Sequence, residues 1–286
     1  MTGMALAAGL LMIFSRECMA AAADAAQVFA RSVAPALLPM MVLALLPRAP
    51  GKNQRREALS LWLFGWLAGS PASARAVSRS AQEGRCAPGQ AQALFVLCGV
   101  MSPPFFLGTL ESWLPGTGMI LLAAHWLSAL LTGALCLPLT RRLPPCPAAA
   151  SHDDAPRASL PAALQGAGLS LLSVLGAMML FAVAFAVLNG AAQRLAPGLL
   201  SPAASAALHA LLEIGGGAKA LTDALGVRGL PLLSALCGFG GFSIWLQNLA
   251  VAGQQIRPAR LLGWRALHGA MAYGVCRLIL LCFPVS

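Results

Sequence analysis

Ten residues stand where a membrane-embedded binding site could form: Ser70, Pro71, Ser73, Arg75, Ser102, Pro103, Glu213, Lys219, Ser243 and Gln247. They gather at four glycine- or proline-marked interruptions of apolar sequence: Gly69-Ser70-Pro71, Ser102-Pro103-Pro104, Gly215-Gly216-Gly217 and Gly240-Gly241-Phe242-Ser243. Ser70-Pro71 has the form of a helix N-cap followed by proline at the first helical position, and Ser102-Pro103 repeats it. A helix that begins at mid-membrane points unpaired N–H groups and the positive end of its dipole into the bilayer interior. Two such starts facing one cavity would accept an anion.

Arg75 and Lys219 lie about one turn beyond two of the breaks. Ionisable residues cost about 3 kcal/mol at the bilayer centre, so they line a pathway or find a partner. The plainer alternative for Arg75 is snorkelling to the interface. For Lys219 it is an ion pair with Glu213, or with Asp223 at i+4. Glu213 abuts the triple glycine and could hold a coupling cation, a proton or a solute group; the alternative is an internal partner for Lys219 or Arg75. Ser243 and Gln247 share a helical face (i, i+4) and either bind a polar solute or hydrogen-bond a neighbouring helix. Trp245 and Asn248 are adjacent and face elsewhere. No nucleotide-binding glycine loop, acid/base carboxylate pair or HExxH is found, so no enzyme and no cofactor are expected. A coupling ion, H+ or Na+, remains open.

The composition says what must position these residues. Of the 286 residues, 58% are hydrophobic and only 10% charged, with a mean hydropathy of +0.76. Soluble domains carry about 25% charged residues. A soluble enzyme, a nucleic-acid binder and a disordered chain are all excluded as the main reading, and the lipid bilayer is the expected surrounding. The formal net charge of +10 is then an excess of Lys and Arg in cytoplasmic loops. The eight cysteines form no CxxC pair and read as small buried hydrophobes.

Along the chain, residues 2–15 form a short apolar first span, 18–31 an interfacial helix, and 32–47 a second span with Pro35 and Pro39. Residues 88–110, 112–140, 158–193, 229–256 and 261–283 can each hold a span. Residues 141–160 read as a polar linker between two halves. The segments 58–84 and 197–228 have limbs about half the length of a span, which suggests re-entrant hairpins.

Ala74-Arg75-Ala76-Val77 matches Ala218-Lys219-Ala220-Leu221, and each precedes an apolar helix with a Cys-Gly pair and a further break. Placing Arg48, Lys52, Arg55, Arg56, Arg85, Arg141, Arg142, Arg157, Arg257 and Arg260 inside makes the two hairpins dip from opposite faces. The expected fold is therefore an all-α polytopic membrane protein with two inverted repeats, each a re-entrant hairpin plus a broken helix. The organisation is an N-terminal region 1–50, repeat one at 51–140, the linker, and repeat two at 161–286.

Gly69-Ser70-Pro71-Ala72-Ser73-Ala74-Arg75 resembles the G-Y-P-A-G-A-K signature of the YlbJ-type (SpoVV) sporulation integral membrane proteins of the nucleoside-recognition, or Gate, superfamily. Pro35-Ala36-Leu37-Leu38-Pro39, Ser102-Pro103-Pro104-Phe105, Leu212-Glu213-Ile214 and Gly241-Phe242-Ser243-Ile244-Trp245-Leu246-Gln247 are similar to family segments in the same order. The chain departs from the family pattern with Ser70 for tyrosine, Ser73 for glycine, Arg75 for lysine, Ser102 for asparagine and Trp245 for glutamine. The resemblance implies transport of dipicolinate, an aromatic dianion, from mother cell toward forespore across the outer forespore membrane. The alternative is a nucleoside or other small-solute carrier of the same superfamily, and a membrane scaffold without transport is a third reading.

Overall fold

A computed structural model describes residues 2–46, 54–140, 159–252 and 256–284. No strand occurs among the described residues. An apolar chain in lipid must satisfy each backbone N–H and C=O internally, and a helix does so within one segment. Five helical runs are long and apolar enough to cross a membrane: Ser15–Leu45, Gly118–Leu139, Leu160–Leu195, Ile214–Ala252 and Pro258–Cys282. The architecture is that of an all-α integral membrane protein.

The N-terminal region differs from the sequence expectation. Helix α1 (Thr2–Ile13) has 12 residues. At 1.5 Å per residue it covers about 18 Å, short of the roughly 30 Å hydrocarbon core. The expected interfacial helix and second span instead run together as one rod. It comprises α2 (Ser15–Val28), a π-helical turn Phe29–Val33 and α3 (Ala34–Leu45). The wide turn explains how the rod tolerates Pro35. Proline lacks an N–H and crowds the carbonyl four residues back. Here Ala34 N–H already reaches back to Phe29 O, so the backbone has loosened before the ring arrives.

Helices α4 (Gln54–Ala68) and α5 (Ala72–Gln82) form an antiparallel pair joined at Gly69–Ser70–Pro71, where the Ser70–Pro71 peptide is cis. Their open end is tied together. Ser80 Oγ donates to Glu57 Oε1 at 2.8 Å, Arg85 lies 3.6 Å from the same carboxylate, and Arg79 Nη1 donates to Leu45 O at 2.5 Å. Next, α6 (Pro88–Leu97) stops at Cys98, and helix resumes beyond Ser102 as a π-helical segment Phe105–Leu110 and the short α7 (Glu111–Trp113). Helix α8 (Gly118–Thr140) returns. Residues 141–158, most of the expected linker, lie outside the described residues.

Helix α9 (Leu160–Leu195) is the longest element and serves as a ruler. Gly166 near its start faces Leu45, while Asn189 near its end binds Ser205 at 2.8 Å and Arg194 binds Glu17 at 2.9 Å. Helices α10 (Pro202–Leu212) and α11 (Ile214–Leu225) form a second antiparallel pair whose open end lies at the Asn189 end of α9. The 23 residues from Gly166 to Asn189 span about 35 Å, so the two pairs open at opposite ends of α9. Helices α12 (Leu230–Phe239) and α13 (Gly241–Ala252) are separated by Gly240 at φ +86°. Helix α14 (Pro258–Cys282) closes the bundle against α8 and α12. The main buried cluster lies between α8, α10, α11, α12 and α14, with a second around α4, α5 and α6. No disulfide joins the seven described cysteines, six of them buried.

The loop before α8 offers a clean pH test. Glu111 accepts from Gly116 N–H and Gly118 N–H, both at 2.7 Å. The hydrogen bond from Gly116, then that from Gly118, holds its carboxyl below the ordinary value of 4.5. A depressed folded-state pKa gives stability that is present above the unfolded value and lost as pH falls through the folded one. Glu111→Gln should therefore lower the melting temperature at neutral pH and match wild type once the pH is taken below that folded value. A thermal-melt series across pH checks this.

Candidate functional site

Each of the four interruptions leaves a polar chain end inside the bundle, and contacts between them hold the ends together. Ser70 N–H donates to Val100 O at 2.8 Å, which locks the tip of the α4–α5 pair to the break after α6. Gly69, at φ +70°, makes that approach possible, because a Cβ there would stand 2.5 Å from Ser102 N. Ser70 Oγ donates to Asn248 Oδ1 at 2.9 Å, which ties the same tip to α13. Opposite, Gly241 at φ +73° lies against Ala210 O and Ile214 N, so α13 begins on the tip of the α10–α11 pair.

The ends border a cavity of about 70 Å³. Of the ten sequence-predicted residues, Ser70, Ser102, Glu213, Ser243 and Gln247 line it. Met101, Phe105, Val174, Met178 and Ile244 supply apolar wall. The other five do not line it. Pro71, which takes the N-cap position of α5 expected for Ser70, and Ser73 in the first turn are both buried, and Ser73 Oγ has no partner. Pro103 sits beside Ser102, outside the lining. Arg75 is partly buried away from the cavity, with its Nε unpartnered. Lys219 is exposed and takes the i+4 alternative, with its Nζ 2.7 Å from both carboxylate oxygens of Asp223.

Glu213 partners neither cation. It is the N-cap of α11, only 2% exposed, with Oε1 accepting from Gly215 N–H and Oε2 from Gly216 N–H, both at 2.7 Å. The triple glycine thus provides backbone donors close to the carboxyl group, and the cap places one acidic side chain on the cavity wall. Ser243, in the first turn of α13, is fully buried and its Oγ has no partner. Gln247 follows one turn later, 7% exposed.

Two supporting groups escaped the sequence reading. Asn248 was expected to face elsewhere, yet it is buried and receives the Ser70 hydroxyl. Arg265 is the larger omission. Its guanidinium is buried between two breaks and donates to Gly99 O, to Gly238 O at 2.6 Å and to Phe239 O at 3.2 Å. It therefore satisfies carbonyls at the C-terminal ends of both α6 and α12, where the helix dipole is negative. Beside it, His125 Nε2 accepts from Met101 N–H at 2.9 Å, and His268 Nε2 lies 3.2 Å from His125 O. An arginine inside the apolar run 261–283, which only Arg265 and Arg277 interrupt, was the available signal, since an intramembrane charge demands partners.

Arg265→Leu should be among the most destabilising substitutions outside the cavity. It strands three buried carbonyls at about 1–3 kcal/mol each. Arg265→Lys restores the charge without the planar fork and should recover only part of the loss. Melting of the purified protein in detergent distinguishes the three. Comparison with family models, with curated proteins and with solved structures finds no match to this chain.

Proposed function

We propose that the chain is a membrane carrier for a small organic solute. It is built as two inverted repeats whose hairpins, 58–84 and 197–228, re-enter the bilayer from opposite faces. The observation that carries this reading is the cavity lined together by Ser70, Ser102, Glu213, Ser243 and Gln247, residues drawn from all four interruptions. Its volume of about 70 Å³ is small against the roughly 300–1,000 Å³ of small-molecule sites, so a solute enters only as the hairpins part. Hairpins opening at opposite ends of α9, with tips at one cavity, are what alternating access between two repeats requires.

The hydrogen-bond inventory bears on the cargo. Glu213 can only accept when ionised, and Ser70 has committed its proton to Asn248, leaving lone pairs. A solute that donates N–H or O–H groups complements such a wall; carboxylates, which only accept, do not. The nucleoside-class cargo that the resemblance admits therefore has more support than dipicolinate. Dipicolinate is what the resemblance implies, and the two cations expected to offset its charge, Arg75 and Lys219, do not line the cavity. For dipicolinate there remains the start of α13, whose N–H groups favour an anion.

A ligand-stabilisation screen of the protein in nanodiscs tests the reading. Uridine should raise the melting temperature and dipicolinate should not. The reverse result assigns the dianion and, with it, a place in the outer forespore membrane. No stabilisation by any solute, with a protein partner co-purifying in fixed ratio, assigns a scaffold.

A further inference from the structure

We infer that the solute carries a positive charge, as a small organic amine in its ammonium form drawn in through an acidic vestibule. This rests on the carrier reading above and names the charge of its cargo. A second cavity, of about 550 Å³, lies toward the Asn189 end of α9. Its polar lining includes Glu17, Asp24, Asn189, Arg194, His209 and Glu213. Arg194 is spent on Glu17 at 2.9 Å, which leaves Asp24 and Glu213 without an opposing cation among the lining residues. A cleft with an excess of one sign concentrates ions of the other.

Glu213 is common to both cavities. Its Oε1 binds Gly215, which lines the central cavity, and its Oε2 binds Gly216, which lines the vestibule. One carboxylate therefore faces the solute before and after it passes the tip of the α10–α11 pair. Among the described residues, Glu213 is the only ionisable one that lines the central cavity. The nearby cations are committed or turned away: Arg265 to three carbonyls, Lys219 to Asp223, and Arg31 to the exposed face one residue before the lining Ser32. An ammonium group has three donors and no acceptor, the complement of Glu213 and Ser70. Independently, the Ser243 hydroxyl, fully buried on the cavity wall without a partner, calls for a polar atom from outside the chain. Beside the start of α13 it suits an oxygen on the same solute.

Tyramine and tyrosol share one skeleton and differ in ammonium against hydroxyl, so the pair isolates the charge. Calorimetric titration at neutral pH into the nanodisc-embedded full chain should give tyramine an affinity at least about tenfold above tyrosol. Glu213→Gln, which keeps an acceptor for the helix cap, should bring the two within about threefold. Asp24→Asn should slow tyramine association and leave tyrosol unchanged. Tyrosol binding as well as tyramine in wild type overturns the inference, and if Glu213→Gln does not fold, that wild-type ratio still decides. Uridine binding without preference for the amine removes the charge assignment and leaves the carrier. Preferred binding of dipicolinate removes the charge assignment and leaves the carrier, whereas no binding by any of these removes both.

Discussion

Gly217→Ala is expected to leave little folded protein in the membrane. A Cβ at this position would stand 2.1 Å from Ala210 N and 2.2 Å from Ala210 Cα, both backbone atoms of the facing helix. Backbone cannot rotate aside, so α10 and α11 must separate along their whole contact. Overpacking of this kind costs about 1–3 kcal/mol where side chains can yield, and more where they cannot. The neighbouring glycines supply the control. A Cβ on Gly216 meets the His209 ring at 3.1 Å, and one on Gly215 meets Glu213 Oε1 at 3.0 Å, both side-chain atoms. Alanine also gains about 1 kcal/mol of helix propensity over glycine. Gly216→Ala should therefore be close to neutral, while Gly217→Ala falls by about 3 kcal/mol or more. Expression level and melting temperature of the pair read the difference. Equal behaviour would mean that the two helices do not approach as closely as described.

The second large effect is at Glu213, where capping and solute binding are separable. Glu213→Ala removes the acceptor of two inward-facing N–H groups, those of Gly215 and Gly216. Each buried donor left unpaired costs about 1–3 kcal/mol, so a loss of about 2–5 kcal/mol is expected. Aspartate is a favoured N-cap residue, so Glu213→Asp should hold stability within about 1 kcal/mol. It also withdraws the carboxylate from both cavities by one methylene. A solute that depends on this charge should then bind about tenfold more weakly to a protein of nearly unchanged melting temperature. Unaltered binding by Glu213→Asp would confine Glu213 to the helix cap and remove it from the site.

These two positions also show why the site was only half legible in the sequence. Glycine and proline punctuate a chain locally, so the breaks at Ser70, Ser102, Glu213 and Gly240 could be read from composition alone. Helix termini are polar wherever they lie, so residues at those breaks were sound candidates. Five of the ten reach the cavity. The five that do not sit beside or beyond a break, where helical rotation turns each side chain by about 100° per residue. A shift of one position decides between cavity and exterior, and sequence spacing cannot supply the absolute rotation of a helix. Lys219 illustrates a local competitor. Asp223 at i+4 lies within its reach without any tertiary change, and that pair forms on the exposed surface.

At the N-terminus the failure was of another kind. Residues 18–31 suit an interfacial helix in sequence because Asp24, Gln27 and Arg31 alternate with small apolar residues. Asp24 instead faces the vestibule, a polar space inside the bundle, so the rod Ser15–Leu45 carries it without interruption. Arg265 follows the same logic from within. Its partners are carbonyls at Gly99, Gly238 and Phe239, up to 166 residues away, freed by breaks that were each visible alone.

The sequence by itself determined that this protein is helical, lies in a bilayer and is interrupted at four places. Hydropathy, the demand for internal backbone hydrogen bonds and the stereochemistry of glycine and proline are properties of short segments. Only the tertiary structure decided that the interruptions meet, that Glu213 rather than Arg75 or Lys219 stands at their meeting point, and that Arg265 braces two of them from behind. Those outcomes depend on the rotation and register of helices packed against distant partners, and no local rule carries that information.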